Sequence, residues 1–404
     1  MFHQKPFVLL FCLSLLVAPL CKSQVPTLDS NAVISVITCG PGNDFYTSFG
    51  HSAIRVCDTS QGMDWVYNYG TFDFDTPHFY LTFARGRLDY CLSRCGFQSF
   101  LFEYAYEGRA VWEQPLRLTP QEKQNLFLLL ETNYLPEYRY YRYDFFRDNC
   151  ATRIRDIVTS ALAHRTLFVE QTSDTNRSYR QLLYPAMEDK LEWWRFAIDL
   201  LLGQRCDHQC SNLEYMFSPV EMMHQFDTTL MSDTHEPLAE QNRQLLPEVK
   251  PEIPNSVSPD VCFWFLMMVV VCLTVIGWAK GWRLGWLDVL LFGTVAIVAL
   301  VLIVMWVATS HYCTKMNWNL LWASPLFVYF AIRLKRSNRW VVLVQLVALV
   351  ASLVILLVGA PQQFNSAVAP VILTLFVRLV AQMRPVQEIT NTKGGFYKFN
   401  VTIK

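Results

Sequence analysis

Charge is scarce in this 404-residue chain. Only 17% of its residues are Asp, Glu, Lys or Arg, and 34 bases balance 34 acids. The zero net charge excludes a nucleic-acid binder that works through a basic surface, and a hydrophobic share of 52% excludes a disordered chain. No internal repeat is evident. The few charges are also unevenly placed. From Val261 onward there are 2 acids (Asp288, Glu388) and 12 bases, whereas the first 260 residues hold 32 acids and 22 bases, a net of −10. An acidic polar half precedes an apolar basic half, which excludes one soluble globular domain.

The N-terminus carries Lys5, an apolar run over residues 6–20 and small residues near Ser23. This pattern reads as a signal peptide over 1–23, cut after Cys21-Lys22-Ser23. Lipidation of Cys21 is a weaker alternative because Leu20 stands where a small residue is wanted, and an uncleaved anchor is a third. All three export the polar stretch that follows. Five apolar segments come later, at 261–279, 284–307, 320–334, 340–358 and 367–381. Most approach the ~20 residues that cross a bilayer, the third and fifth being short. Lys280 and Arg283 follow the first, Arg333, Lys335, Arg336 and Arg339 the third, and Arg384, Lys393 and Lys398 the fifth, while the other loops hold Lys315 and little else. With the polar half outside, every basic loop is cytoplasmic. The expected layout is a multi-pass membrane protein with an exported domain at 24–231 and a linker at 232–260, where Pro, Glu, Gln and Asn dominate. A five-span transmembrane domain at 261–383 and a cytoplasmic tail at 384–404 complete it.

Within the exported domain, residues 32–38, 52–56, 64–69 and 110–115 alternate or are rich in β-branched side chains, as strands are. Thr119-Pro120-Gln121-Glu122 has the form of a capping box with proline in the first turn, opening a helix to about residue 133. A second helix begins at Asn149 or Cys150, with Ile154, Ile157 and Val158 on one face, and a third spans 185–202 with Trp193, Trp194 and Phe196. The expected class is α+β, a small antiparallel sheet with helices, followed by an all-α five-helix membrane domain.

Two places carry chemistry. In Phe49-Gly50-His51-Ser52-Ala53-Ile54-Arg55-Val56 a histidine stands at the mouth of a strand just after a glycine. In Arg147-Asp148-Asn149-Cys150-Ala151-Thr152 a cysteine opens a helix. Free N–H groups and the partial positive charge of a helix start favour thiolate over thiol, a nearby imidazole would complete the activation, and the same N–H groups could hold an oxyanion. Against this stands the plainer reading that a cysteine at a helix start is a buried packing residue. Cysteine arithmetic favours chemistry. If Cys91 pairs with Cys95, Cys206 with Cys210 and Cys39 with Cys57, Cys150 remains the one free thiol of the exported domain. Cys206-Asp207-His208-Gln209-Cys210 also admits a metal reading, but no second ligand cluster accompanies it and no metal is expected. His78, His164, His224 and His235 read as surface residues. The aromatic run 138–146 reads as a strand packed on the core, or as the wall of an acyl-chain site with Arg139, Arg142 and Arg147 near lipid phosphates. His311, in the outer loop 310–315, would lie at the membrane surface facing the exported domain.

These residues carry a resemblance. Gly-His-Ser-Ala-Ile-Arg-Val (50–56), Val-Tyr-Asn-Tyr-Gly-Thr-Phe-Asp-Phe (66–74), Asp-Asn-Cys-Ala-Thr (148–152) and His-x-x-Thr-Lys-x-Asn-Trp-Asn-Leu-Leu-Trp (311–322) together resemble the Bacteroidota lipoprotein N-acyltransferase family (Lnb), over nearly the whole chain. The order of histidine then cysteine is also similar to the permuted NlpC-type branch of the papain-like fold, which includes lecithin:retinol acyltransferase relatives. The resemblance implies transfer of a fatty acyl chain from phospholipid, through a thioester on Cys150, to the α-amino group of the diacylglyceryl-cysteine of an apolipoprotein. It implies His51 as the base and no cofactor. Asn68 is the expected orienting residue, with Asn149 as the alternative and more naturally a helix cap. Two other readings stay open, a membrane-anchored cysteine peptidase or amidase acting on cell-wall peptide and a non-catalytic binding domain.

Overall fold

The structure, a computed structural model, describes residues 25–42, 47–73, 75–163, 165–167, 177–187, 191–249, 256–333 and 338–383. The expected signal peptide and cytoplasmic tail lie outside these residues, as does His164.

The exported half is built on strands β1 (Val33–Cys39), β2 (His51–Asp58), β3 (Met63–Thr71), β4 (Asp89–Gly96), β5 (Val111–Pro115) and β6 (Tyr140–Arg142). A two-stranded ribbon of β7 (Thr166–Leu167) and β8 (Leu230–Met231) lies apart, and β9 (Arg243–Leu246) returns to the main sheet. The sheet runs β6-β4-β3-β2-β1-β5-β9, and every pairing is antiparallel. The interior strand β1 is buried at every residue after Val33, because helices cover both faces. With the two-residue period of a strand, Ile34 and Val36 meet one cluster and Ile37 and Cys39 the other. The first cluster gathers Leu126, Phe127 and Leu130 of helix Pro120–Tyr134 and Ile154 and Val158 of helix Cys150–Ala161. The second gathers Phe97, Phe100 and Tyr104 of helix Phe97–Tyr106. Burying each such side chain contributes roughly 1.5–3 kcal/mol. Helix Pro120–Tyr134 starts as its capping box requires. Thr119 accepts from the Glu122 N–H, and the Glu122 carboxylate accepts from the Thr119 N–H at 2.9 Å.

Several expectations are corrected. The segment 232–249, read as linker, instead returns to the domain. Leu238 and Ala239 are buried, and Arg243–Leu246 pairs with β5, because the sheet edge offers unpaired N–H and C=O groups that even a polar strand can satisfy. The aromatic run supplies only three strand residues, Tyr140–Arg142, before turning at Asp144. The helix expected over 185–202 is a 3-10 turn at Tyr184–Met187 followed by Glu192–Leu201. β4 and helix Phe97–Tyr106 were not anticipated.

In the second half, helices Pro259–Lys280, Gly285–Val307 and Arg339–Val358 are long and apolar enough to cross a membrane, and Val368–Gln382 is a shorter apolar helix. The segment expected as the third span contains only the turn Trp318–Leu320 and helix Leu326–Ile332. The cause is visible in its hydrogen bonds. Asn317 donates to the Leu200 carbonyl at 2.7 Å, Asn319 to the same carbonyl at 3.2 Å, and the Trp318 indole to Gln204 at 3.0 Å. Chain that could have been membrane helix is used to join the two halves. The Gly203 N–H donates to the Cys313 carbonyl at 2.8 Å, and Gln362 to Leu202 at 3.0 Å. Beneath this junction the fully buried Arg180 is held by Asp199 at 2.9 Å and Asp207 at 2.7 Å.

Candidate active site

Gly50 shapes the entry to β2. Its φ is +78°, and a Cβ there would stand 2.7 Å from the Cys39 carbonyl oxygen, so only glycine lets the chain turn into His51. His51 sits opposite Cys39 in the register. Its Nε2 lies 3.4 Å from Oδ1 of Asn68 on β3. A carbonyl oxygen can only accept, so Nε2 carries the hydrogen and Nδ1 is left as the basic nitrogen. The Asn68 amide in turn donates to Cys95 Sγ at 3.6 Å. The register of β3 against β4 then shifts between Asn68 and Thr71. Within that irregularity Gly70, at φ +93°, passes so close that a Cβ would lie 3.7 Å from the Cys150 Cβ.

Cys150 is the first residue of its helix. Asn149 caps it, accepting from the Thr152 N–H at 2.9 Å and donating to the carbonyls of Phe145 at 2.8 Å and Phe217 at 2.7 Å. Its oxygen and both amide hydrogens are engaged, so the Asn149 side chain serves the turn and has no donor left for a reacting oxygen. The backbone N–H groups of Ser52, Ala151 and Cys150 itself favour the charged form of the Cys150 sulfur. Helix Cys150–Ala161 packs against β2, which brings the thiol to the strand that opens on His51 across a sequence gap of about a hundred residues. The Cys150 thiol is nearly buried.

Electrostatics here run against the sequence argument. Burial raises the Cys150 pKa above its ordinary value, and the N–H groups of Ser52 and Ala151 only partly offset it. Burial likewise lowers the His51 pKa to about 4, assisted by the Arg109 charge and opposed by the Asn68 bond. The helix start does favour thiolate, but desolvation outweighs it. The resting pair is a neutral thiol and a neutral imidazole.

Arg109 was not singled out by any motif. It is buried, donates from Nε to the Gly40 carbonyl at 2.9 Å and from Nη1 to Glu107 at 3.0 Å, and lies over the Tyr104 ring. Its charge acts on Cys39, His51 and Cys150 together. Only the folded sheet reveals this, since Arg109 precedes β5 and meets the site through the end of β1.

The other expected residues are engaged elsewhere. Arg142 is exposed, faces Asp89 at 3.3 Å and donates to the Arg87 carbonyl. Arg147 lies over the Tyr312 ring at 4.6 Å, fastening the domain to the outer loop. His311 is in that loop, and its Nε2 lies 3.1 Å from the Ala84 carbonyl oxygen. The disulfide arithmetic fails. All described cysteines are free thiols. Cys39 faces His51 and Cys57 faces Val33, so the two are six register steps apart, about 20 Å, and Cys91 and Cys95 are about 13 Å apart along β4. Cys206 points to Cys313, 3.8 Å from its carbonyl oxygen. His208, Cys210 and Glu214 bring donor atoms within 4.8 Å of one another. His208 already uses Nδ1 on the Arg205 carbonyl and Nε2 on Glu214.

A buried thiol at the start of a helix that packs on the strand opening with a histidine, in an α+β domain joined to apolar helices, describes a membrane-tethered domain with a cysteine-centred candidate site. Residues 24–183 match the Lnb N-terminal periplasmic domain and residues 251–388 the Lnb transmembrane domain, and the chain belongs to the Lnb family. It is accordingly a membrane protein with a periplasmic N-terminal domain. No curated protein and no solved structure matched the chain.

Proposed function

We propose that this protein is a lipoprotein N-acyltransferase of the inner membrane, its C-terminus cytoplasmic, in which Cys150 carries the acyl group and His51 moves the proton. The observation that supports it best is the packing of the helix that opens on Cys150 against the strand that opens on His51, whose Nε2 lies 3.4 Å from the Asn68 side-chain oxygen.

In the first half-reaction Nδ1 of His51 takes the Cys150 proton as the sulfur attacks a phospholipid ester carbonyl. The new S–C bond forms, the ester C–O bond breaks, and the imidazolium returns the proton to the departing lysophospholipid alkoxide. Because the resting pair is neutral, this proton moves during attack and not before it. N–H groups at the helix start would supply donors to the developing oxyanion as the sulfur's charge passes to it. In the second half-reaction the α-amino group of diacylglyceryl-cysteine attacks the thioester. An amide C–N bond forms, the C–S bond breaks, and His51 passes the amine proton to the leaving thiolate. A thioester stores the acyl group while remaining open to aminolysis, and the reaction asks for no cofactor. The phospholipid donor and the diacylated acceptor both lie in the bilayer, which gives the apolar helices and their rigid junction a purpose. That junction disfavours a cell-wall peptidase, whose substrate needs no such registration with the membrane.

The test is the intact mass of the full-length protein in lipid nanodiscs. An acyl-sized, hydroxylamine-labile adduct on Cys150 that disappears on adding a diacylated lipopeptide supports the reading. Peptide hydrolysis without any adduct overturns it.

A further inference from the structure

One apolar surface of the exported half is left uncovered by its own domain. In helix Phe79–Ala84, Tyr80 is 81% exposed, Leu81 58% and Phe83 46%. Soluble surfaces scatter such side chains singly, but here three fall within four positions. The end of this helix is tied to the outer end of a membrane helix. The Ser310 N–H donates to the Arg85 carbonyl at 2.9 Å, His311 Nε2 meets the Ala84 carbonyl at 3.1 Å, and the His311 ring packs on Gly86. Residues 310 and 311 come only a few positions after Val307, the last residue of helix Gly285–Val307, where Trp306 and Val307 are themselves open to the surroundings. The short helix is thus held at the depth where lipid tails give way to headgroups. Exposed Arg85 and Arg87 follow it directly, as cations border membrane-seated elements.

From this surface a row of rings leads inward. Phe79 stacks on Phe72 at 5.8 Å, Phe72 meets Tyr90 at 5.2 Å, and Tyr90 stacks on Tyr143 at 4.2 Å. Tyr143 borders Gly70, the glycine that lies against Cys150.

We propose that helix Phe79–Ala84 is seated in the periplasmic leaflet through Tyr80, Leu81 and Phe83, and that the row Phe79, Phe72, Tyr90 and Tyr143 guides a lipid acyl chain from there to Cys150. The occupant is the bilayer itself, because the surface continues the lipid-facing end of helix Gly285–Val307. The seating stands independently, whereas the guiding role rests on the acyl-transfer reading.

Two experiments separate these parts. The first uses Cys150→Ala protein in nanodiscs doped with phosphatidylethanolamine bearing a diazirine on its acyl chain. Photo-adducts are expected on residues 80–83 at a level matching residues 304–307, with none on Tyr106, an 87% exposed side chain on another helix. Adducts on 304–307 without any on 80–83, or crosslinks between protein copies at 80–83 in place of lipid, overturn the seating. The second measures Cys150 acylation in Leu81→Asp/Phe83→Asp protein. Bilayer phospholipid should acylate it at least tenfold more slowly than the unaltered protein, while monomeric dihexanoyl phosphatidylcholine should acylate both equally, and Tyr106→Asp should change neither. Equal loss with both donors overturns the guiding role. An unaltered protein that no donor acylates overturns the acyl-transfer reading and leaves the photo-adduct result standing.

Discussion

Under the acyl-transfer reading, replacing Asn68 by alanine removes the acceptor for the His51 Nε2–H and leaves the proposed base, Nδ1, without its orienting bond. A neutral hydrogen bond of this kind contributes a net of about 0.5–1.5 kcal/mol, which corresponds to a fall in Cys150 acylation of roughly two- to twelvefold. The 3.4 Å separation places Asn68 toward the weaker end of that range. The same bond raises the His51 pKa against the effect of burial, so its loss also moves the acidic limb of the acylation profile further below pH 4. The assay is acyl-enzyme formation in nanodiscs, followed by intact mass after quenching at a series of pH values. A purely structural Asn68 would lower the amount of folded protein without moving the limb. Acylation at the unaltered rate with an unmoved limb would refute the orienting role and, with it, the assignment of Nδ1 as the base.

Further outcomes are expected. His51→Ala should slow acylation by about 10²–10⁴-fold, the usual contribution of a positioned base, and Cys150→Ser should leave no hydroxylamine-labile adduct in the mass spectrum. Gly50→Ala forces a Cβ against the Cys39 carbonyl at positive φ, so a loss of at least about 1–3 kcal/mol should appear as a lower thermal midpoint. Asn149→Ala removes a cap and frees two carbonyls, for a loss of about 1–2 kcal/mol in urea unfolding of the exported domain. The depressed His51 pKa carries a definite sign. Between its unfolded value of about 6.5 and its folded value of about 4, only the unfolded chain binds the proton, so stability falls as pH drops through that window and is level above it. His51→Phe should flatten that part of the stability profile, and an unchanged slope would contradict the buried neutral imidazole.

Much of the layout was legible before any coordinates, because it depends on neighbours in the chain. Hydropathy runs marked the long membrane helices, alternation marked β1 to β3 and β5, and Thr119 and Asn149 marked two helix starts through hydrogen bonds three residues long. The motif at 311–322 carried part of the family resemblance, yet its purpose was not legible. Asn317, Trp318 and Asn319 join the two halves through partners more than a hundred positions away. That distant demand shortened the third expected span.

The amino-acid order by itself determined the division into exported and membrane halves, the strand that opens on His51 and the helix that opens on Cys150. Periodicity and capping act over a few residues and require no knowledge of the rest of the molecule. Tertiary structure alone decided that the helix of Cys150 packs against the strand of His51, that the Arg109 charge reaches both side chains, that Cys39 and Cys57, like Cys91 and Cys95, stand too far apart to pair, and that a late polar strand completes the sheet. It also reversed the sign of one argument, since a helix start favours thiolate locally while the cost of desolvation is set by everything packed around it.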